Sequence, residues 1–417
     1  MSLIRIARIS SHKTEAERVP ELAKWRPSRF NARTTVSNGQ ILLWNSRSGR
    51  LTAFGPGLAS RLNKYLSRPG FTGELDGFGD YLRKRGYLVS LLDGDEFAAF
   101  DSVASGLHYA KDRLELIVLA SEDCNLRCKY CYETFPRGAM AVWVRVAIKK
   151  MLAGRRGDIR SLNVSWFGGE PLYGFEAVED LAPFISEFCS TNSIAYSSHV
   201  TTNGFLLTPA IASRLFEWSI RDFQITLDGL ASDHDRNRPT RDGKGTFATI
   251  IQNILSLRDR ADHFRVALRI NCDPTNIRSI PGLLDVLGHE LAGDVRFSIA
   301  FHPVGKWGGP NDQFLEVFHD RDQSLVVREL EAKAIDNGLQ VRSALSNVRC
   351  GSQVCYAARP YSFIVGSDGT LMKCTVALRE KDYNVIGQIA LDGTLMIDPH
   401  KFSLWTEPAY KKDAGCR

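Results

Sequence analysis

Between residues 114 and 340, short apolar runs and amphipathic stretches alternate six times, and this alternation most limits how the chain can fold. The apolar runs fall at 114–120, 162–167, 199–202, 223–227, 264–270 and 295–301. Each is followed by helical spacing, near 141–153, 175–190, 208–218, 246–259, 280–292 and 323–337. A strand that returns parallel to its predecessor needs a long crossover, so repeated strand–helix units predict an α/β fold with a parallel sheet. Six units, fewer than the eight that close a barrel, predict an open, partial (β/α)6 TIM-like barrel with its chemistry at the C-terminal strand ends. At 44% hydrophobic and 24% charged residues over 417, the composition excludes collagen-like, coiled-coil and disordered classes. No apolar run approaches the ~18–20 residues that span a bilayer. Met1–Arg8 carries basic residues without a following apolar segment, so no secretory signal is expected and the protein is read as cytoplasmic, with no membrane partner.

The flanking segments differ in character. Residues 1–110 hold 16 Lys and Arg against 10 Asp and Glu, whereas the other 307 residues balance at 37 and 37. The whole formal charge of +6 therefore sits in the N-terminal segment, as a solvated face or as a docking module for an acidic partner. Nucleic acid is not expected, because neither a long basic run nor an aromatic–basic alternation is present. Gln40–Asn45, the turn Ser46–Gly49 and Arg50–Phe54 read as a hairpin. Helical stretches near 57–67 and 74–86 follow, then Tyr87–Ser90 as a returning strand and Asp93–Asp112 as a linker or helix. This is the outline of a small winged-helix-like unit over 1–110, ahead of a barrel over 111–340 and a Cys-rich segment over 341–417.

Nine cysteines without a secretory signal argue against a disulfide framework. Cys189 and Cys272 stand inside periodic segments as buried hydrophobes. Cys124, Cys128 and Cys131 form a C-x3-C-x2-C cluster directly after the first barrel strand. Three thiolates on one loop can hold three corners of a [4Fe–4S] cube and leave one iron open for chemistry. A structural zinc site would need a fourth Cys or His at close spacing, and none lies between residues 132 and 188.

With Tyr130 as its aromatic, the loop C-x3-C-x-aromatic-C resembles that of the radical S-adenosylmethionine (SAM) superfamily. One β-α unit later, Gly168-Gly169-Glu170-Pro171 resembles that family's methionine-binding motif. Thr201-Thr202-Asn203-Gly204 and Thr226-Leu227-Asp228-Gly229 close the next two strands, and His234-Asp235 with Arg238 matches a His-Asp-x-x-Arg pattern of the same subgroup. The resemblance, covering about 115–305, implies a SAM-binding cluster on Cys124, Cys128 and Cys131. It further implies SAM contacts from Tyr130 (adenine), Gly168, Gly169 and Glu170 (amino group), Thr202, Asn203, Thr226 (ribose or carboxylate), Asp228 and Arg238 (carboxylate). An Arg suits a carboxylate because its fork pairs bidentately. His302-Pro303 follows the sixth strand and is either a substrate contact or a hydrogen-bonded loop histidine; His199 is read as structural.

Cys355, thirteen residues, Gly369, four residues and Cys374 resemble the opening of a SPASM-type domain, with Cys350 just upstream and Cys416 at the start of a later Cys-x2-Cys stretch. That resemblance implies one or two auxiliary [4Fe–4S] clusters on Cys350, Cys355, Cys374 and Cys416; as the sequence ends at Arg417, either the chain is truncated or these clusters are incomplete. The function implied is a radical SAM peptide maturase: a 5′-deoxyadenosyl radical modifies side chains of a ribosomally made precursor peptide by crosslinking, epimerisation or oxidation. Its partners would be an acidic leader on that peptide and a low-potential donor, flavodoxin or ferredoxin. The alternative is an anaerobic sulfatase-maturating, formylglycine-generating enzyme. Those enzymes begin the cysteine loop close to their N-terminus, whereas 123 residues precede Cys124 here. A non-enzymatic iron–sulfur or zinc-binding protein is the reading from a different class.

Overall fold

A computed structural model describes residues 24–67, 71–342, 354–378 and 380–407. The chain divides into two compact units, with the boundary between Ser102 and Val103.

The N-terminal unit is built from β1 (Lys24–Pro27), β2 (Asn31–Thr35), β3 (Ile41–Asn45), β4 (Arg50–Phe54), α1 (Ala59–Leu66), β5 (Phe71–Thr72), α2 (Gly77–Lys84) and β6 (Leu88–Ser90). The expected hairpin is β3–β4, and β2 pairs with the other side of β3. Among the described residues, the edges of this antiparallel sheet are therefore β2 and β4. A second three-stranded sheet runs β5-β1-β6. Alternation decides which hairpin residues go inside: Ile41, Leu43 and Phe54 are buried with Leu62, Tyr65, Leu82, Tyr87 and Leu88. Buried Tyr87 donates its hydroxyl hydrogen to the Leu43 carbonyl at 3.0 Å, so its polar tip ties α2's exit to the hairpin. The segment 93–112, left open between linker and helix, forms α3 (Glu96–His108).

In the second unit the six alternations become β7 (Arg113–Ser121), α4 (Val142–Gly154), β8 (Ser161–Gly168), α5 (Phe175–Thr191), β9 (Ala195–Thr202), α6 (Pro209–Glu217), β10 (Asp222–Leu227), α7 (Ala231–Asn237), α8 (Phe247–Arg258), β11 (Arg265–Cys272), α9 (Ile280–Leu291), β12 (Phe297–Pro303) and α10 (Asp320–Asp336). All six strands are parallel and lie side by side in chain order. Helix α7 has no counterpart in the hydrophobic pattern. At seven residues it is too short to show a period, yet it ends at the residue before Arg238.

The last segment, which reads as periodless, extends this sheet. β13 (Ser362–Val365) pairs parallel with β7, and β14 (Thr370–Met372), β15 (Val385–Ile389) and β16 (Leu395–Ile397) follow antiparallel before α11 (Pro399–Thr406). Among the described residues the sheet thus has ten strands, and β12 and β16 are its edges. Strands of three to five residues carry too few positions for alternation to be legible. The fold is an α/β architecture around one mostly parallel sheet. Outward-facing strand residues such as Leu116, Val118, Val164, Val200, Ile225, Leu268 and Ile270 pack with the helices into one core. Among the described residues, no helix is long and apolar enough to cross a membrane.

Candidate active site

The loop after β7 carries Cys124, Cys128 and Cys131, and a strand-like contact holds it in place. Leu126 bridges to Thr240, Arg127 N–H donates to Pro239 O at 2.9 Å, Lys129 N–H to Asn237 O at 2.9 Å, and Arg241 N–H back to Asn125 O at 2.9 Å. The segment on the other side of this contact contains Arg238. The cysteine loop and the arginine are thus positioned by one local backbone ladder. Arg127 folds back on its own loop, donating to Cys124 O at 2.5 Å, Leu126 O at 2.8 Å and Asp123 at 2.9 Å.

The end of β8 explains the two glycines. Gly168 has φ +123°, and a Cβ there would lie 2.1 Å from the Ser121 carbonyl oxygen. At Gly169 a Cβ would lie 2.6 Å from Asp123 O. The cysteine loop and this strand end pass too close for any side chain. Glu170 is buried and fully engaged: its carboxylate accepts from Leu172 N at 3.0 Å, Thr202 Oγ1 at 2.7 Å and Asn203 N at 2.7 Å. It therefore clamps the ends of β8 and β9 together. Burial nevertheless raises its pKa to about 7, the three hydrogen bonds and Arg238 pulling the other way. Asn203 turns its amide to Asn125 Oδ1 at 2.8 Å and toward Cys124 Sγ at 3.6 Å.

A cavity of about 480 Å³ opens above these strand ends. Cys128, Tyr130, Cys131, Gly168, Gly169, Glu170, Thr202, Asn203, Thr226 and Arg238 all border it. Of the residues expected to hold the SAM-binding cluster or SAM, two stand outside its wall. Cys124 is buried beneath the loop, with Leu126 N–H directed at its sulfur at 3.3 Å. Asp228 is wholly buried behind Tyr130 and accepts its hydroxyl hydrogen at 3.1 Å. Tyr130 also accepts from Arg238 Nη1 at 2.5 Å and Asn271 Nδ2 at 2.8 Å. Burial raises the Asp228 pKa to about 6, with Arg238 opposing.

The His-Asp pair supports Arg238 from behind. His234, buried, meets Asp228 N at 3.3 Å and Thr246 Oγ1 at 3.2 Å, and Thr246 donates to the Arg238 carbonyl at 2.8 Å. Asp235 accepts from Thr246 N at 2.7 Å and Phe247 N at 2.8 Å, holding the start of α8. Burial and Arg238 together depress the His234 pKa to about 3.

Sequence reasoning missed Gln224, Arg269 and Asn271, which also border the cavity. Their signal was present: each is a polar residue two positions from another inward residue on β10 or β11, where the outward set is apolar. Tyr132, Glu133, Trp307, Thr375 and Val376 line the cavity from loops, for which no spacing rule exists. His302 faces the cavity, and burial together with Arg269 lowers its pKa to about 4.

Of the cysteines read as further metal ligands, Cys355 is exposed ahead of a short 3-10 turn, and Cys374 follows β14, its N–H bonded to Asn384 Oδ1 at 2.8 Å. Thr375, next to Cys374, borders the cavity and bonds Tyr356. Cys350 and Cys416 lie outside the described residues.

The donor set suits an iron–sulfur cluster. Burial raises all three loop thiols, Cys131 to about 12, so ligation must displace their protons. Among the described residues no three His, Cys, Asp or Glu side chains converge as ligands of a single metal ion. A [4Fe–4S] cube requires no such convergence, because each thiolate binds a different iron. Among the described residues, Arg238 Nε at the cavity has no hydrogen-bond partner, and the Gly168–Gly169 edge leaves a side-chain-free approach. Both features fit a polar cofactor seated there.

Residues 118–283 match the family model described as the radical SAM superfamily. A Fe-coproporphyrin III synthase from Methanosarcina barkeri is 25% identical over 185 residues, 44% of this chain and 43% of its own length. A serine-type anaerobic sulfatase-maturating enzyme from Klebsiella aerogenes is 25% identical over 154 residues, 36% of this chain and 37% of that one. The chain thus spans about two fifths of the length of these curated relatives. Among solved structures, anSMEcpe with bound AdoMet aligns at TM-score 0.56 and 20% identity, covering 72% of this chain and 86% of that one. Streptococcus suis SuiB bound to precursor peptide SuiA aligns at 0.51 and 14%, covering 91% and 90%. These likenesses are of fold. With the cysteine loop, the Gly-Gly-Glu-Pro turn and the matched model in agreement, residues 118–283 are a radical SAM domain.

Proposed function

We propose that this protein is a radical SAM peptide maturase acting on a ribosomally made precursor peptide. The observation that carries the reading is the ladder between the cysteine loop and residues 237–241, which brings Cys128, Cys131, Tyr130 and Arg238 to one cavity. Cys124, Cys128 and Cys131 would hold a [4Fe–4S] cluster by three irons. When bound, the cluster and SAM supply one-electron cleavage of the sulfonium and hence a 5′-deoxyadenosyl radical for hydrogen abstraction.

The chain's own part is positioning. The Gly168–Gly169 backbone offers a close approach to the amino group of SAM, Thr226 and Arg238 donors to its ribose and carboxylate, and Tyr130 a flat wall for the adenine. Glu170 acts indirectly, by fixing Thr202 and Asn203. Asp228 acts through Tyr130. Leu126 N–H and Asn203 Nδ2 direct hydrogen-bond donors at Cys124 Sγ, which stabilise a thiolate and tune a cluster's potential. Phe167, Val304, Trp307 and Val376 line the cavity and limit water around a reactive intermediate.

Residues 1–110, basic and winged-helix-like, would bind the leader. The edges of β2 and β4 offer backbone donors and acceptors for strand addition. Residues 341–417 would be a SPASM-type domain, with Cys350, Cys355, Cys374 and Cys416 ligating auxiliary clusters. A flavodoxin or ferredoxin in the cytoplasm would supply electrons. That SuiB is bound to a precursor peptide supports a peptide substrate.

Similarity to the Klebsiella enzyme favours a second reading, oxidation of Ser or Cys to formylglycine. One experiment separates the two. The reduced full-length protein is incubated with SAM and, in turn, a precursor peptide encoded beside its gene and a sulfatase-derived Cys or Ser peptide. A mass change confined to the precursor supports maturation; one confined to the sulfatase peptide replaces it.

A further inference from the structure

Two guanidiniums reach the cavity, and their surroundings differ. Arg238 is bonded to Tyr130, with Asp228 close behind. Arg269 sits midway along β11, in register with Thr226 of β10 and Ala300 of β12. Its strand neighbours Leu268 and Ile270 point into the helix-packed core, so the pleat fixes Arg269 toward the lumen. Its Nε donates to Asn271 Oδ1 at 2.8 Å. Among the described residues it forms no ion pair, and its two terminal nitrogens have no acceptor.

The carboxyl groups nearby are engaged otherwise. Glu170 already accepts three hydrogen bonds. Asp228 serves Tyr130, and Glu133 borders both this cavity and a neighbouring one lined by Arg137 and Lys381, forming no ion pair with Arg269 among the described residues. His302 stays neutral and brings no counter-charge. Burial opposes the charge on Arg269, as does the nearby Arg238 guanidinium, and Asp228 relieves it in part. A planar fork with two free N–H edges, largely removed from water and lacking an anion, is complementary to a carboxylate.

We propose that Arg269 receives a carboxylate from a molecule bound in this cavity. Its owner, which rests on the function proposed above, is an Asp or Glu side chain of the substrate peptide, since the SAM carboxylate is assigned to Arg238. Arg269 is then a specificity residue that selects peptides acidic at or beside the modified position.

The test is binding to anaerobically reconstituted full-length protein, wild type against Arg269→Gln and Arg269→Lys, by equilibrium dialysis. The probes are SAM, decarboxylated SAM, and the N-acetylated tripeptide amides Gly-Asp-Gly, Gly-Glu-Gly, Gly-Asn-Gly and Gly-Gln-Gly with SAM present. Wild type should prefer the acidic tripeptides by about tenfold, and Arg269→Gln should erase that preference while leaving any preference for SAM over its decarboxylated form in place. Loss of the SAM preference instead, with acidic and amide tripeptides bound alike, overturns the proposal. The Lys variant keeps the charge without the fork and retains part of the acidic preference, so it carries the test should the Gln variant fail to load iron. Preferences unchanged in both variants, or absent from wild type, overturn the proposal. None of these readouts needs turnover, so a wild type that discriminates carboxylates yet cleaves no SAM would refute the function and leave Arg269's role standing.

Discussion

The hydroxyl of Tyr130 and the guanidinium of Arg238 lie 2.5 Å apart, across 108 residues of sequence. That bond closes a chain running from Arg269 through Asn271 and Tyr130 to Arg238, with Asp228 accepting from Tyr130 behind it. One phenol therefore ties the cysteine loop to the arginine after α7, to Asp228 just beyond β10 and to Asn271 of β11. Tyr130→Phe leaves Asp228 Oδ1, Arg238 and Asn271 each short of a partner. A loss of about 1–3 kcal/mol follows from one such buried vacancy. Thermal denaturation under anaerobic conditions should show a Tm several degrees lower, and SAM binding should weaken; an unchanged Tm would mean the network contributes nothing.

Gly168 and Gly157 make a paired prediction. A Cβ at Gly168 meets the Ser121 carbonyl at 2.1 Å on a backbone of φ +123°, whereas one at Gly157 meets nothing within 4 Å. Gly168→Ala should yield insoluble or grossly destabilised protein, because neither backbone can move without parting the cysteine loop from β8. Gly157→Ala should stay within about 0.5 kcal/mol of wild type. Soluble yield and urea midpoints compare them.

Most of the parallel sheet with its helices is legible in sequence because buried parallel strands and amphipathic helices write long, regular patterns. All six β–α alternations fall where the apolar spacing puts them. What stays hidden is short or indirect: seven-residue α7, the three- to five-residue strands β13–β16, and the sheet's continuation past β7. Site residues follow the same division. Cys124, Cys128, Cys131 and Gly168–Glu170 stand out as motifs, while Arg269 and Asn271 require knowing which face of β11 turns inward. Motif reading also blurs roles. Glu170 and Asp228 hold other residues in place, a distinction only their hydrogen bonds reveal.

His234 gives a pH dependence of definite sign. Its folded pKa of about 3 lies below the ordinary 6.5, so the unfolded chain binds a proton the folded one refuses. The stabilising contribution of neutral His234 is full above pH 6.5 and is lost as pH falls toward 3. Other buried groups titrate in this range, so the informative quantity is a difference. The stability gap between wild type and His234→Gln, measured by urea unfolding, should narrow from pH 7.5 to pH 5. A gap that widens on acidification would show that His234 is charged in the fold.

The charge of residues 1–110 makes the proposed leader binding testable. An acidic leader bound there should dissociate more readily as salt rises, since exposed charges are screened beyond about 8 Å at physiological ionic strength. Fluorescence anisotropy of a labelled acidic precursor between low and high NaCl reads this directly. Affinity indifferent to salt would leave the +6 excess as a solvated face.

The central claim is that Cys124, Cys128 and Cys131 hold a cluster that cleaves SAM. Full-length protein reconstituted anaerobically with iron and sulfide, reduced with dithionite and supplied with SAM, should release 5′-deoxyadenosine and methionine, and each single Cys→Ala variant at these positions should release neither. Wild-type protein that binds stoichiometric zinc without acid-labile sulfide, or that loads iron and sulfide yet forms no 5′-deoxyadenosine, would contradict the account.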